Sequence, residues 1–96
     1  VFIPSGFTPN GDGVNDALMV HGNSSTTVKT FRVYDRWGEL VFRADDYAIN
    51  STESDLTWDG TFKGKLMNSG VYVWHVAVRY IDGREETFEG NTTLLR

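Results

Sequence analysis

The chain has no cysteine, which excludes disulfide staples, thiolate metal centres and a cysteine nucleophile. It also lacks any run approaching the ~18–20 apolar residues that a membrane-spanning helix requires. No transmembrane segment is expected. The stretch Val1-Phe2-Ile3-Pro4 has no charged region followed by an apolar one, so it does not read as a signal peptide. If the parent protein is exported, its leader lies upstream and this chain is one module of it. Positive charge is scarce too: nine Lys and Arg against thirteen Asp and Glu leave a net charge of −4. The basic residues are scattered, and a phosphate-binding surface needs them clustered, so nucleic acid is not an expected partner. Sustained helical periodicity is missing from every window.

What is present is a strand pattern in a chain of one domain's length. With 96 residues, 40% of them apolar and 14% aromatic, residues 1–96 read as a single packed domain. From Val71 to Tyr80 one face carries Tyr72, Trp74, Val76, Val78 and Tyr80, and the other Val71, Val73, His75, Ala77 and Arg79. That alternation predicts a long strand with a bulky apolar face. Asp82-Gly83 predicts a two-residue turn into a returning strand, Arg84 to Leu95, with a bulge expected at Gly90. A second hairpin is expected from Val28–Tyr34 through Asp35-Arg36-Trp37-Gly38 to Glu39–Arg43. Shorter strands are expected at Ala17–His21, Phe2-Ile3 and Leu56–Trp58, with polar loop filling most of Ala44 to Gly70. About seven short strands in this length describe an all-β domain, a small antiparallel β-sandwich of immunoglobulin-like type.

One loop stands out chemically. Phe7-Thr8-Pro9-Asn10-Gly11-Asp12-Gly13-Val14-Asn15-Asp16 carries glycine, proline and short oxygen-bearing side chains, a composition that suits neither helix nor strand. Asn10, Asp12 and Asp16 alternate with the Val14 carbonyl in the manner of the first half of a calcium loop, although the far bidentate glutamate is missing. The same residues also suit an Asx turn, with Asn10 and Asp12 capping local N–H groups. Asp59 is a possible further ligand or the closing residue of a turn, beside a Trp58 expected in the core. Trp37, next to a turn glycine and to Arg36, is the candidate exposed aromatic for a partner contact, its alternative being to cover one end of the sandwich. His21 and His75 lie in separate expected strands, outside any recognisable nucleophile or metal spacing, so no enzymatic activity and no small-molecule substrate are expected.

Three blocks in series carry a family resemblance. They are Phe7 to Asp16, then Val33-Tyr34-Asp35-Arg36-Trp37-Gly38-Glu39-Leu40-Val41-Phe42, then Trp58-Asp59-Gly60-Thr61-Phe62-Lys63-Gly64-Lys65 leading into Ser69-Gly70-Val71-Tyr72-Val73-Trp74. In this order they resemble the gliding-motility-associated C-terminal domain, also called the type B sorting domain of the type IX secretion system. Asn68 stands where that family often has proline, and Asp35 where asparagine is commoner; both are turn-compatible. The resemblance implies a non-catalytic sorting module that directs a larger cargo to the cell surface or medium. It further implies recognition by the secretion machinery, with an outer-membrane protein of PorP/SprF type as a candidate partner. Two other readings are a carbohydrate-binding or adhesive module, which needs exposed rings such as Trp37, Tyr34 and Tyr47, and a structural spacer.

Overall fold

The computed structural model describes residues 1–11 and 16–96. Among these residues the regular structure is all β, in seven strands: β1 (Gly6–Phe7), β2 (Thr27–Tyr34), β3 (Leu40–Ala48), β4 (Thr61–Phe62), β5 (Lys65–Leu66), β6 (Gly70–Arg79) and β7 (Glu85–Leu94). Five form one sheet in the order β1-β7-β6-β2-β3, and β4 and β5 form a separate hairpin. All pairings are antiparallel except β1 with β7, which is parallel. The sheet is therefore mixed, one departure from the expected antiparallel arrangement.

The inner face of the large sheet follows the alternation in the sequence. Tyr72, Val76 and Val78 of β6 are buried with Phe31 and Val33 of β2 and Leu94 of β7. The facing layer is less regular. Its contribution to the core comes from Ile3, Leu18, Val20, Ile49 and Trp58. The expected strands at Phe2-Ile3, Ala17–His21 and Leu56–Trp58 reduce to two single bridges, Phe2 with His21 and Leu18 with Trp58. Leu18 and Val20 still point inward, but the chain around them is too short and turn-rich to extend a ladder. Thr92, buried on β7, donates its hydroxyl to the Pro4 carbonyl at 3.0 Å and so ties the N-terminal segment to the sheet.

One bulge explains where period-2 reading fails. Val28 and Phe31 are three apart yet both buried. An extra residue at Lys29 in β2 relative to β6 resets the pleat, since Val28 pairs with Val78 and Thr30 with Ala77. Pairing of Val28 with Tyr47 and Thr30 with Asp45 sets Lys29 opposite Asp46, which has a left-handed φ of 55°. The same irregularity thus lets Ala44 and Tyr47 share the inner face. The expectation of loop after Arg43 is corrected here, because β3 runs on to Ala48. As an edge strand, β3 carries Arg43, Asp45 and this kink, devices that discourage pairing with another chain.

The expected bulge at Gly90 is also corrected, since β6 and β7 pair without a shift, Trp74 directly opposite Gly90. A side-chain carbon at Gly90 would sit 2.6 Å from Cζ2 of the Trp74 indole. Glycine is there because the ring lies flat across the neighbouring strand.

Tyr47 is buried with no hydrogen-bond partner for its hydroxyl among the described residues. Burial, with the Asp45 charge adding to it, pushes the phenol well above its ordinary value of 10.0. The neutral form is the one the fold favours, so its contribution is complete below about pH 10 and falls as pH rises beyond that. Tyr47→Phe should leave stability unchanged or raise it by up to about 1 kcal/mol, since it removes an unpaired buried hydroxyl. It should also flatten the alkaline decline. Chemical denaturation at pH 7 and pH 11 measures both, and a loss above about 1 kcal/mol at pH 7 would show that the hydroxyl has a partner.

Candidate recognition surface

The turn between β2 and β3 presents the best-built exposed feature. Asp35 donates its N–H to the Glu39 carbonyl at 2.9 Å, and its own carbonyl accepts the Gly38 N–H at 3.0 Å. Gly38 has φ 85°. This is a type I turn closed by a left-handed glycine, a three-residue hairpin loop. The Asp35 carboxylate accepts the N–H groups of Trp37 and Glu39, each at 2.9 Å. Arg36 and Trp37 are left at the tip, with the guanidinium 5.1 Å from the indole centroid. Trp37 is 81% exposed. The alternative that Trp37 covers the end of the sandwich is thus corrected: the core below is already filled by Trp58, Phe7 and Tyr72. Those three rings pack with centroids 5.5 Å (Phe7 to Trp58) and 4.9 Å (Trp58 to Tyr72) apart.

The β4–β5 hairpin stands opposite this turn. Phe62 pairs with Lys65, and the two residues between them, Lys63 (φ 54°) and Gly64 (φ 77°), both take left-handed conformations. That is the two-residue turn whose twist matches flanking strands. The hairpin is anchored from below. Trp58 Nε1–H donates to the Thr61 carbonyl at 2.9 Å, and the Asp59 carboxylate accepts from the Thr61 N–H and hydroxyl at 3.0 and 2.6 Å. Asp59 is therefore engaged in closing a turn. From the other side, Arg96 donates to the Gly60 and Met67 carbonyls at 2.6 and 2.8 Å.

Between the turn and the hairpin runs an open groove of about 480 Å³, lined by Arg36 and Trp37 on one wall and by Lys63, Lys65 and Leu66 on the other. Its floor is the start of β6, Gly70 to Tyr72. The Tyr72 hydroxyl donates to the Asn68 carbonyl at 2.7 Å and holds the preceding loop in place. Burial raises that phenol above its ordinary value, with Asp35 adding to the effect.

The other residues singled out from the sequence fall elsewhere. Asp12 and Val14 of the candidate calcium loop lie outside the described residues. At its margins the Asp16 carboxylate accepts the N–H of Gly11, five residues before it, at 3.1 Å. Among the described residues no three His, Asp or Glu side chains converge as a metal site would require. His21 packs on Phe2, and His75 faces Glu89 at 3.5 Å and the edge of Tyr34. The aromatic platform needed for a carbohydrate-binding face is not assembled: Tyr47 is in the core and Tyr34 packs edge-on against His75. The hairpin cations Lys63 and Lys65 escaped sequence reading, although Phe62-Lys63-Gly64-Lys65-Leu66 carries the signal, a glycine turn between short alternating arms.

A small β-sandwich whose most constructed surface is a braced tryptophan beside a groove belongs to the class of recognition modules. The chain belongs to the CHU_C Type IX secretion signal domain family, which it matches over residues 1–94. No curated protein matches it. It is accordingly a sorting module for type IX secretion cargo, recognised by that machinery and serving export to the cell surface or medium.

Proposed function

We propose that residues 1–96 form one C-terminal domain that performs no chemistry of its own and is read as a folded surface by an outer-membrane partner of PorP/SprF type. The cargo ahead of it passes through the periplasm and across the outer membrane. The observation that carries this reading is Trp37, 81% exposed and stacked under Arg36 at the tip of a rigid turn. Tryptophan and arginine are the residues most often found to dominate interface energetics. A large ring left in water on a small domain is otherwise a solubility cost.

The test is a reporter with a signal peptide, fused ahead of this chain and expressed in a host with a type IX apparatus and the partner protein. The reporter should reach the surface or medium, and retention in the periplasm removes the reading. A non-catalytic reading also expects the isolated chain to leave generic ester, glycoside and peptide substrates untouched.

Calcium is the ion that Asn10, Asp12, the Val14 carbonyl and Asp16 would take, with hard oxygen donors and weak affinity suited to an extracellular setting. If it binds, calcium at ten times its Kd should stabilise the fold by about 1.4 kcal/mol, an increment that a chelator abolishes. Identical melting curves with calcium and with chelator, together with no heat of binding, would leave the Asx turn as the whole account of this loop.

A further inference from the structure

The groove beside Trp37 differs in charge from the rest of the chain. Its lining carries three cations, Arg36, Lys63 and Lys65, against two carboxylates, Asp35 and Glu39. The chain as a whole has the opposite balance, nine against thirteen. Asp35 is already committed to two backbone N–H groups. Among the described residues none of the three cations forms an ion pair. Arg36 and Lys63 instead lie over the rings of Trp37 and Phe62, at 5.1 and 5.2 Å. Between the charges lie three exposed apolar side chains: Trp37, Leu66 (71%) and Val71 (50%).

The floor adds a backbone feature. The β2–β6 ladder ends where Tyr34 pairs with Val73. Beyond it, Gly70, Val71 and Tyr72 are paired with β7 alone, because the chain of β2 peels away into the Asp35 turn. Among the described residues, one side of this three-residue segment therefore has no strand beside it. An extended segment laid there would continue the line of β2, and its side chains would alternate between the two walls.

We propose that this groove receives an extended segment of a partner protein in which pairs of carboxylates alternate with pairs of apolar side chains, so that each wall meets both kinds, added as a short strand beside Gly70–Tyr72. The assignment rests on the secretion reading for its biological partner, but not for its chemistry. Carboxylates pair with Arg36, Lys63 and Lys65, and apolar side chains cover Trp37, Leu66 and Val71. The walls are held in advance by the bonds of Asp35, Trp58 and Arg96, so little ordering accompanies binding.

The probe is a synthetic eight-residue peptide alternating pairs of glutamates with pairs of valine or phenylalanine, titrated into the 96-residue chain and followed by NMR. The expected result is saturable shifts at the Trp37 indole N–H and at the amides of Lys65, Leu66 and Val71. Affinity should fall as salt rises, and by about tenfold or more in Arg36→Glu/Lys65→Glu. Trp37→Ala should weaken it to a similar degree while the melting temperature stays unchanged. A lysine-for-glutamate peptide should not bind. Shifts that map elsewhere, or no saturation, overturn the proposal, as does binding of phosphatidylglycerol vesicles in place of the peptide. The reporter fusion separates the two readings. Export of the wild-type fusion with undiminished export of the double variant removes the groove and keeps the sorting role. Peptide binding without export of the wild-type fusion removes the sorting role and keeps the groove.

Discussion

Trp58→Ala is expected to cost about 3–5 kcal/mol, the range for removing a large aromatic from a close-packed interior. Trp58 is the largest fully buried side chain, packed against Phe7 and Tyr72, and its bridge to Leu18 supplies much of the order in the irregular layer. Its indole N–H also holds the β4–β5 hairpin through the Thr61 carbonyl. Domains generally carry only about 5–15 kcal/mol of stability, and small ones sit toward the lower end. The melting temperature should therefore drop by roughly 12–40 °C, at about 4–8 °C per kcal/mol for a domain of this size. Trp58→Phe separates packing from hydrogen bonding. It keeps a ring in the cluster but loses the bond to Thr61, and should fall between the wild type and the alanine variant. Denaturant titration reads all three, and an alanine variant within about 1 kcal/mol of wild type would contradict the placement of this residue at the centre of the core.

Gly90→Ala should also destabilise, by about 1–3 kcal/mol, the usual range for overpacking. The sign is informative. Glycine in a strand with ordinary backbone angles is normally improved by alanine, which gains about 0.4–1 kcal/mol by restricting the unfolded chain. Gly90 has no left-handed φ, so backbone strain does not enter. The cost comes from the indole of Trp74, whose Cζ2 and Cε2 would lie 2.6 and 3.0 Å from the new methyl. In a Trp74→Ala background the same change should become neutral or favourable. The double-mutant cycle should thus return a coupling of more than about 1 kcal/mol, within the range found for residues in contact. Additive effects would mean that the ring does not occupy the space above Gly90.

These residues also show how far sequence reading reached. The alternation from Val71 to Tyr80 placed Tyr72, Val76 and Val78 on the buried face because two-residue periodicity is a property of the backbone itself. Trp58 in the core and Trp37 at a turn were legible for similar reasons: size favours burial, and a glycine beside a tryptophan marks a bend. The Asp82-Gly83 turn was placed correctly but mistyped. Tyr80 N–H bonds the Arg84 carbonyl and Gly83 has φ 89°, so the loop spans three residues, Ile81 to Gly83. The extension of β3 was not legible, since the left-handed Asp46 shifts the phase of the pattern and makes a strand read as polar loop. The groove was not legible either, because its walls come from segments about thirty residues apart.

The sequence by itself determined the all-β class, the hairpin positions, the central tryptophan and the family, each of which depends on residues close together in the chain. Only the tertiary structure decided which strands are neighbours, that β1 joins β7 in parallel, and that Gly90 makes room for Trp74. It also decided that Tyr47 is buried and Tyr34 packs half-buried against His75, while Trp37 is left in water beside Lys63 and Lys65. Those outcomes depend on how separate segments compete for one small core. Burial is awarded by the whole fold, and no local pattern records which ring loses.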